Sequence, residues 1–143
     1  MKISTSMPIV CLALGALVSA PCSAATADAP VTVELNKLED QGGGCRVHLV
    51  ILNTSAAAFD AYKLDLVLFG RDGIIARRIA VEIAPLRANK KSVKLFDVAD
   101  LACPTIGSIL VNDVLECSGP GATAASCIDG LQVSSRAGIE LSK

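Results

Sequence analysis

The sequence predicts an all-β protein, an antiparallel sandwich of about seven strands held by two disulfides. Three observations carry that expectation. Short apolar runs rich in Val, Ile and Leu recur through the chain, many of them alternating with polar residues, the two-residue period of a strand. The joints between them are short and built from Gly, Asp, Asn and Pro. No stretch after the first two dozen residues sustains the period of a long helix, and an even number of cysteines follows an export-type leader.

The leader is read from Met1 to Ala27. Lys2 gives a minimal positive start, Ile9–Ala20 is apolar, and small residues around Ala24 and Ala27 offer cleavage positions. The apolar run is shorter than the ~20 residues that span a bilayer comfortably. Residues 1–27 are therefore expected to be a signal peptide and residues 28–143 a single β-sandwich domain, periplasmic or secreted, with no stable membrane span after cleavage. Cleavage there removes Lys2 and no carboxylate, taking the formal charge from −1 to −2. That balance argues against a nucleic-acid binder.

Val31 to Leu38 alternates cleanly, with Val33 and Leu35 on the face of Val31, and forms the first strand. Glu39–Gly44 is a turn. Its three glycines lack the lysine and hydroxyl residue of a phosphate-binding loop. Arg46–Asn53 is apolar on both parities and reads as a central or covered strand. Asn53–Asp60 is a loop with room for a helical turn on its alanines, and Asn53-Thr54-Ser55 matches a glycosylation acceptor. Tyr62–Phe69 alternates again, with Tyr62, Leu64, Leu66 and Leu68 inward. Gly70-Arg71-Asp72-Gly73 is a hairpin turn in which Gly73 takes positive φ.

Ile74–Ile83 answers that strand with Ile75, Ile79, Val81 and Ile83 inward, and Arg77 on the same parity marks a bulge or an edge. Pro85 ends it. Ser92–Val98 is the fifth strand, and Asp97–Cys103 has the makings of one helical turn between sheets. Ile106–Cys117 is the sixth, bent or bulged near Asn112-Asp113. Ser118–Ser126 is a flexible loop, and Ile128–Leu141 closes the domain with one or two strands. A small closed barrel is the alternative architecture.

The middle of the chain resembles the FxLyD-type immunoglobulin-like domains of exported bacterial proteins. Asn53-Thr54-Ser55, Leu68-Phe69, Asp72-Gly73 and Pro85-Leu86 stand at positions comparable to that family's strand ends and turns. Phe69-Gly70 replaces the family's Tyr-Asp, and Asn89 replaces a loop glycine. The resemblance implies an exported immunoglobulin-like sandwich with no catalytic residues to carry over.

Four cysteines remain after the leader: Cys45, Cys103, Cys117 and Cys127. In consecutive antiparallel strands, the start of strand two and the turn before strand six lie at one end of the domain. The end of strand six and the start of strand seven lie at the other. That polarity favours Cys45–Cys103 and Cys117–Cys127 over a Cys45–Cys117 bridge between facing sheets. Metal binding is the weaker reading, since no Cys-x-x-Cys pair is present.

Little in the sequence organises chemistry. His48 is the sole histidine and lies within a strand. No serine sits in a G-x-S-x-G elbow, and no calcium-loop spacing groups the carboxylates. No cofactor is expected. One charge asymmetry stands out: Arg71, Arg77, Arg78, Arg87, Lys90, Lys91 and Lys94 face only Asp72 and Glu82 in the same stretch. Either these cations defend a sheet edge or they form a face for an anionic partner. The expected function is a non-catalytic exported accessory or structural protein that meets another envelope or secreted protein through such a surface. A small periplasmic hydrolase or metal-handling protein is the alternative.

Overall fold

A computed structural model describes residues 30–143, so the expected signal peptide lies outside the described residues. The fold is an all-β sandwich of two four-stranded sheets. The eight strands in chain order are β1 (Val31–Asp40), β2 (Cys45–Asn53), β3 (Ala61–Gly70), β4 (Ile75–Glu82), β5 (Lys90–Val98), β6 (Ile106–Ser118), β7 (Leu131–Ser135) and β8 (Glu140–Ser142). One sheet has the order β5-β2-β1-β7 and the other β4-β3-β6-β8. The first and last strands bring parallel pairing into an otherwise antiparallel fold: β1 with β7, and β6 with β8.

The core lies between the sheets and is aliphatic. Val31, Val33 and Leu35 of β1, and Val47, Leu49 and Ile51 of β2, meet Leu64, Leu66 and Leu68 of β3 with Ile109, Val111 and Val114 of β6. For β1 and β3 these are the inward parities that the alternation predicts; β2, apolar on both parities in the sequence, turns Val47, Leu49 and Ile51 inward and lies inside its sheet between β5 and β1. Tyr62 is the large exception. Its ring packs edge-on to Phe59 at 5.5 Å, and its hydroxyl donates to the Cys127 carbonyl at 2.9 Å. Burial pushes the Tyr62 phenol well above its ordinary pKa.

The strands are bulged where the sequence marks interruptions. β6 slips register against β3 at Asn112, which is skipped between Asp113 and Val111, placing the expected bend there. β4 slips against β3 between Ile75 and Arg77. That bulge turns Ile75 out to 61% exposure, correcting its expected inward position, while Ile79, Val81 and Ile83 stay on the core side. Gly73 has φ 79°, and its N–H closes the hairpin on the Gly70 carbonyl.

Three loops depart from expectation. The alanines of 55–58 form no helix, because Asn53 holds that segment in an irregular path. The helical turn before β6 is a 3-10 turn at Cys103–Thr105, later than the Asp97–Cys103 stretch expected to supply it. Ser118–Ser126 is not a plain flexible loop. It leads into a short helix, α1 (Ala124–Asp129), started by a capping box in which the side chains of Thr123 and Ser126 each accept from the other's backbone N–H.

Both disulfides join as the strand polarity favours. Cys45 bonds Cys103, and Cys117 bonds Cys127. The first ties the start of β2 to the turn that feeds β6, hence one sheet to the other. The second ties the end of β6 to the helix that feeds β7.

Candidate functional surface

The seven basic residues flagged in the sequence lie along one side of the sandwich, where the edge strands β4 and β5 run beside an open seam. Two side chains cross that seam. Arg77 of β4 donates to the Ala99 carbonyl at 3.1 Å, and Lys94 of β5 donates to the Ala84 carbonyl at 2.8 Å. Both sit on the half-buried parity of their strands, so their heads reach across the gap between sheets. Arg71, at the hairpin tip, donates to the Pro104 carbonyl at 2.5 Å. These three cations serve as struts between elements.

Arg78 has a different commitment. Its guanidinium forms a two-point pair with Asp65 on the outer face of the second sheet, Nε to Oδ1 at 2.8 Å and Nη2 to Oδ2 at 2.7 Å. Asn112 Nδ2 adds a third bond to Asp65 Oδ2 at 2.7 Å. Asp65 is only 3% exposed despite sitting on the outward parity of β3. The Arg78 hydrogen bonds hold its carboxyl below the ordinary carboxylate range, against the opposing effect of burial.

Arg87, Lys90 and Lys91 remain. All three are exposed, and none makes a side-chain hydrogen bond or ion pair within the described residues. They line the rim formed by the 84–89 connection and the start of β5. Asn53 fixes that rim. Fully buried at 0% exposure, it donates from Nδ2 to the carbonyls of Ala57, Leu86 and Arg87, and its Oδ1 accepts from the Ser55 N–H and hydroxyl. The sequence shows Asn53 as a glycosylation acceptor. In the fold its amide nitrogen is spent on three backbone carbonyls, leaving no room for a glycan.

His48 is half-buried and bonded to a carboxylate of the neighbouring strand. Its Nε2 lies 3.0 Å from Glu39 Oε2, on the outer face of the first sheet. Glu39 also pairs with Lys37 at 3.1 Å. The same face carries Arg46–Asp97, bonded at two points, and Arg136–Glu34. Among the described residues, no group of three or more His, Cys, Asp or Glu side chains gathers at metal-binding distance. No helix among them is long and apolar enough to cross a membrane.

Large hydrophobic side chains are exposed at two places on this side of the molecule. Ile74 and Ile75 flank the hairpin tip beside Leu101 and Pro104, lining a shallow groove at the end remote from Arg87 and Lys90. Val93 and Leu95 lie on the outward parity of β5, next to Val50 and His48 of β2. Between these apolar side chains and the charge pairs of the first sheet, the sequence offers only residue types; which are spent and which are free is set by the strand register.

No family model matches the chain, and no curated protein or solved structure matches it. The class defined by the structure is an all-β sandwich with two disulfides, which fits an oxidising compartment outside the cytoplasm.

Proposed function

We propose that this chain is a non-catalytic, exported accessory protein of the cell envelope or secreted fraction, and that it binds an anionic partner protein through the Arg87–Lys90–Lys91 rim. One observation carries this reading. Of the seven cations clustered in sequence, four are spent on carbonyls or on Asp65, and the three without such a bond follow one another along the 84–89 connection and the start of β5, with Lys91 turned to the outer face beside Glu34. A rigid edge rich in exposed positive charge attracts an acidic surface and steers its approach. Asn53 supplies the rigidity by bolting both loops of the rim to the end of β2.

Export is supported by the leader-like residues 1–27 and by the oxidised cysteines. The resemblance to FxLyD-type domains belongs to the same reading, since Asn53, Phe69, Asp72-Gly73 and Pro85-Leu86 all fall at turns or packing positions of the sandwich.

The test compares two double charge reversals of equal net change. Arg87→Glu with Lys90→Glu should abolish co-purification of the specific envelope partner, and should do so most clearly at low salt. Arg71→Glu with Arg77→Glu, which alters struts and not the rim, should retain that partner if the variant stays folded by circular dichroism. Equal retention by the rim variant and the wild type would overturn the proposal.

A further inference from the structure

We infer that β5 is a self-recognition strand, through which two copies of this chain pair edge to edge and antiparallel, in a register centred on Lys94. The strand reads Lys90-Lys91-Ser92-Val93-Lys94-Leu95-Phe96-Asp97-Val98. Among the described residues it has a strand neighbour only on its β2 side, so its other edge presents unpaired backbone donors and acceptors.

The outward row is self-complementary. Lys91, Val93, Leu95 and Asp97 all point to the outer face, each exposed. An antiparallel two-fold centred on Lys94 sets Lys91 opposite Asp97 of the second copy and Val93 opposite its Leu95, with both pairs repeated by the symmetry. Directly opposed side chains in such a ladder stand about 4.5–5.5 Å apart at Cβ, close enough for contact and ion pairing. Shifting the centre by one residue either way sets Lys91 against an apolar or turn residue and loses both matches. A row that is basic at one end, acidic at the other and apolar in the middle is what an isologous contact requires.

The middle of that row is unusually open. Val93 is 56% and Leu95 51% exposed, on an edge strand whose other defences are charges. Pairing would cover both against their opposites and against Val50 and the His48 ring beside them. Asp97 already accepts two bonds from Arg46 on its own sheet. Lys91 of the second copy would complete an alternating Arg–Asp–Lys line across the joint.

One feature opposes the contact and sharpens the test. Lys94 lies at the centre, where it faces its own symmetry mate, and an inward-pointing lysine is a known guard against edge pairing. Its ammonium is drawn back to its own Ala84 carbonyl at 2.8 Å, which limits the repulsion without removing it. The association is accordingly weak and concentration-dependent. The other edge strand of this side, β4, offers Arg78 opposite Glu82 about Ala80, but its outward row there carries no large apolar pair to bury. Its centre is a small alanine. β5 is therefore the pairing edge.

This inference does not rest on the anionic-partner reading; Lys91 belongs to both surfaces, and Val93→Lys and Lys94→Met leave the Arg87–Lys90–Lys91 rim unchanged. Sedimentation equilibrium of the purified protein should show a mass that rises from one chain toward two with concentration. Val93→Lys, a change at an exposed position, should weaken the dimer by roughly tenfold or more and leave the melting of the monomer unchanged. Lys91→Glu, which sets glutamate against Asp97, should weaken it as well. Lys94→Met should strengthen it, and adding Val93→Lys to that variant should reverse the gain. A single-chain mass at the highest soluble concentration for both wild type and Lys94→Met would overturn the inference. So would a dimer that Val93→Lys or Lys91→Glu leaves intact.

Discussion

Asp65 shows how a residue on the exposed parity of a strand becomes a structural group. β3 is the inner strand of its sheet, with β4 on one side and β6 on the other, and each neighbour contributes a donor: Arg78 from β4 and Asn112 from the β6 bulge. Both carboxylate oxygens accept, so an isosteric amide must turn its NH2 toward a donor in either orientation. Asp65→Asn should cost about 2 kcal/mol at neutral pH, within the range for hydrogen bonds to a charged group. The pH dependence follows from the depressed pKa in the folded state. The unfolded chain binds the proton first as pH falls, so the stability contributed by Asp65 is complete above the ordinary carboxylate value of about 3.9 and is lost as pH drops through the lower folded value. Urea unfolding of wild type and Asp65→Asn should therefore differ at pH 7 and converge in acid. In the sequence Asp65 is one of several scattered carboxylates, and nothing local distinguishes it. Asn53 is similar: its acceptor tripeptide is legible, yet its burial and its five hydrogen bonds depend on the return of the chain at Leu86 and Arg87.

At the scale of the elements, the legible features are those set by neighbours in sequence. The inward rows of β1 and β3, the Gly70–Gly73 hairpin and the irregularity near Asn112 follow from alternation and turn chemistry. The reversal of Ile75 does not, because the β4 bulge that expels it is a feature of the pairing with β3. The helix α1 had a local signal in Thr123 and Ser126 at capping-box spacing, though serine replaces the usual acidic or amide residue at the third position. Gly107 carries no local signal at all. It sits in β6 where the register slips against the end of β3, and a Cβ there would stand 2.6 Å from the Gly70 carbonyl oxygen and 2.9 Å from Arg71 Cα. These obstacles are backbone, so the hairpin tip would have to move. Gly107→Ala should destabilise by about 2 kcal/mol, as overpacking does in tight sites, read as a lowered urea midpoint with an unchanged slope.

For the whole molecule, one disulfide joins the two sheets and the other joins β6 to α1, and their loops differ greatly in length. Cys45–Cys103 has a sequence separation of 58 and Cys117–Cys127 of 10. The chain-entropy estimate gives about 4.2 kcal/mol for the first and about 2.7 kcal/mol for the second. Replacing Cys45 and Cys103 by serine should thus lower stability more than replacing Cys117 and Cys127, with the difference read by denaturant unfolding of the two variants. The fold class, the strand sequence and the favoured cysteine pairing were in the sequence by itself, because each depends on short-range alternation, turn residues and the direction of consecutive strands. The candidate surface was present only as an undivided run of seven cations. Tertiary structure alone divided it, by folding the carbonyls of Ala84, Ala99 and Pro104 and the carboxylate of Asp65 against four of them. Those partners lie between 10 and 33 residues away in the chain. A cation is free or spent according to what the fold brings beside it, and periodicity along a strand holds no record of that.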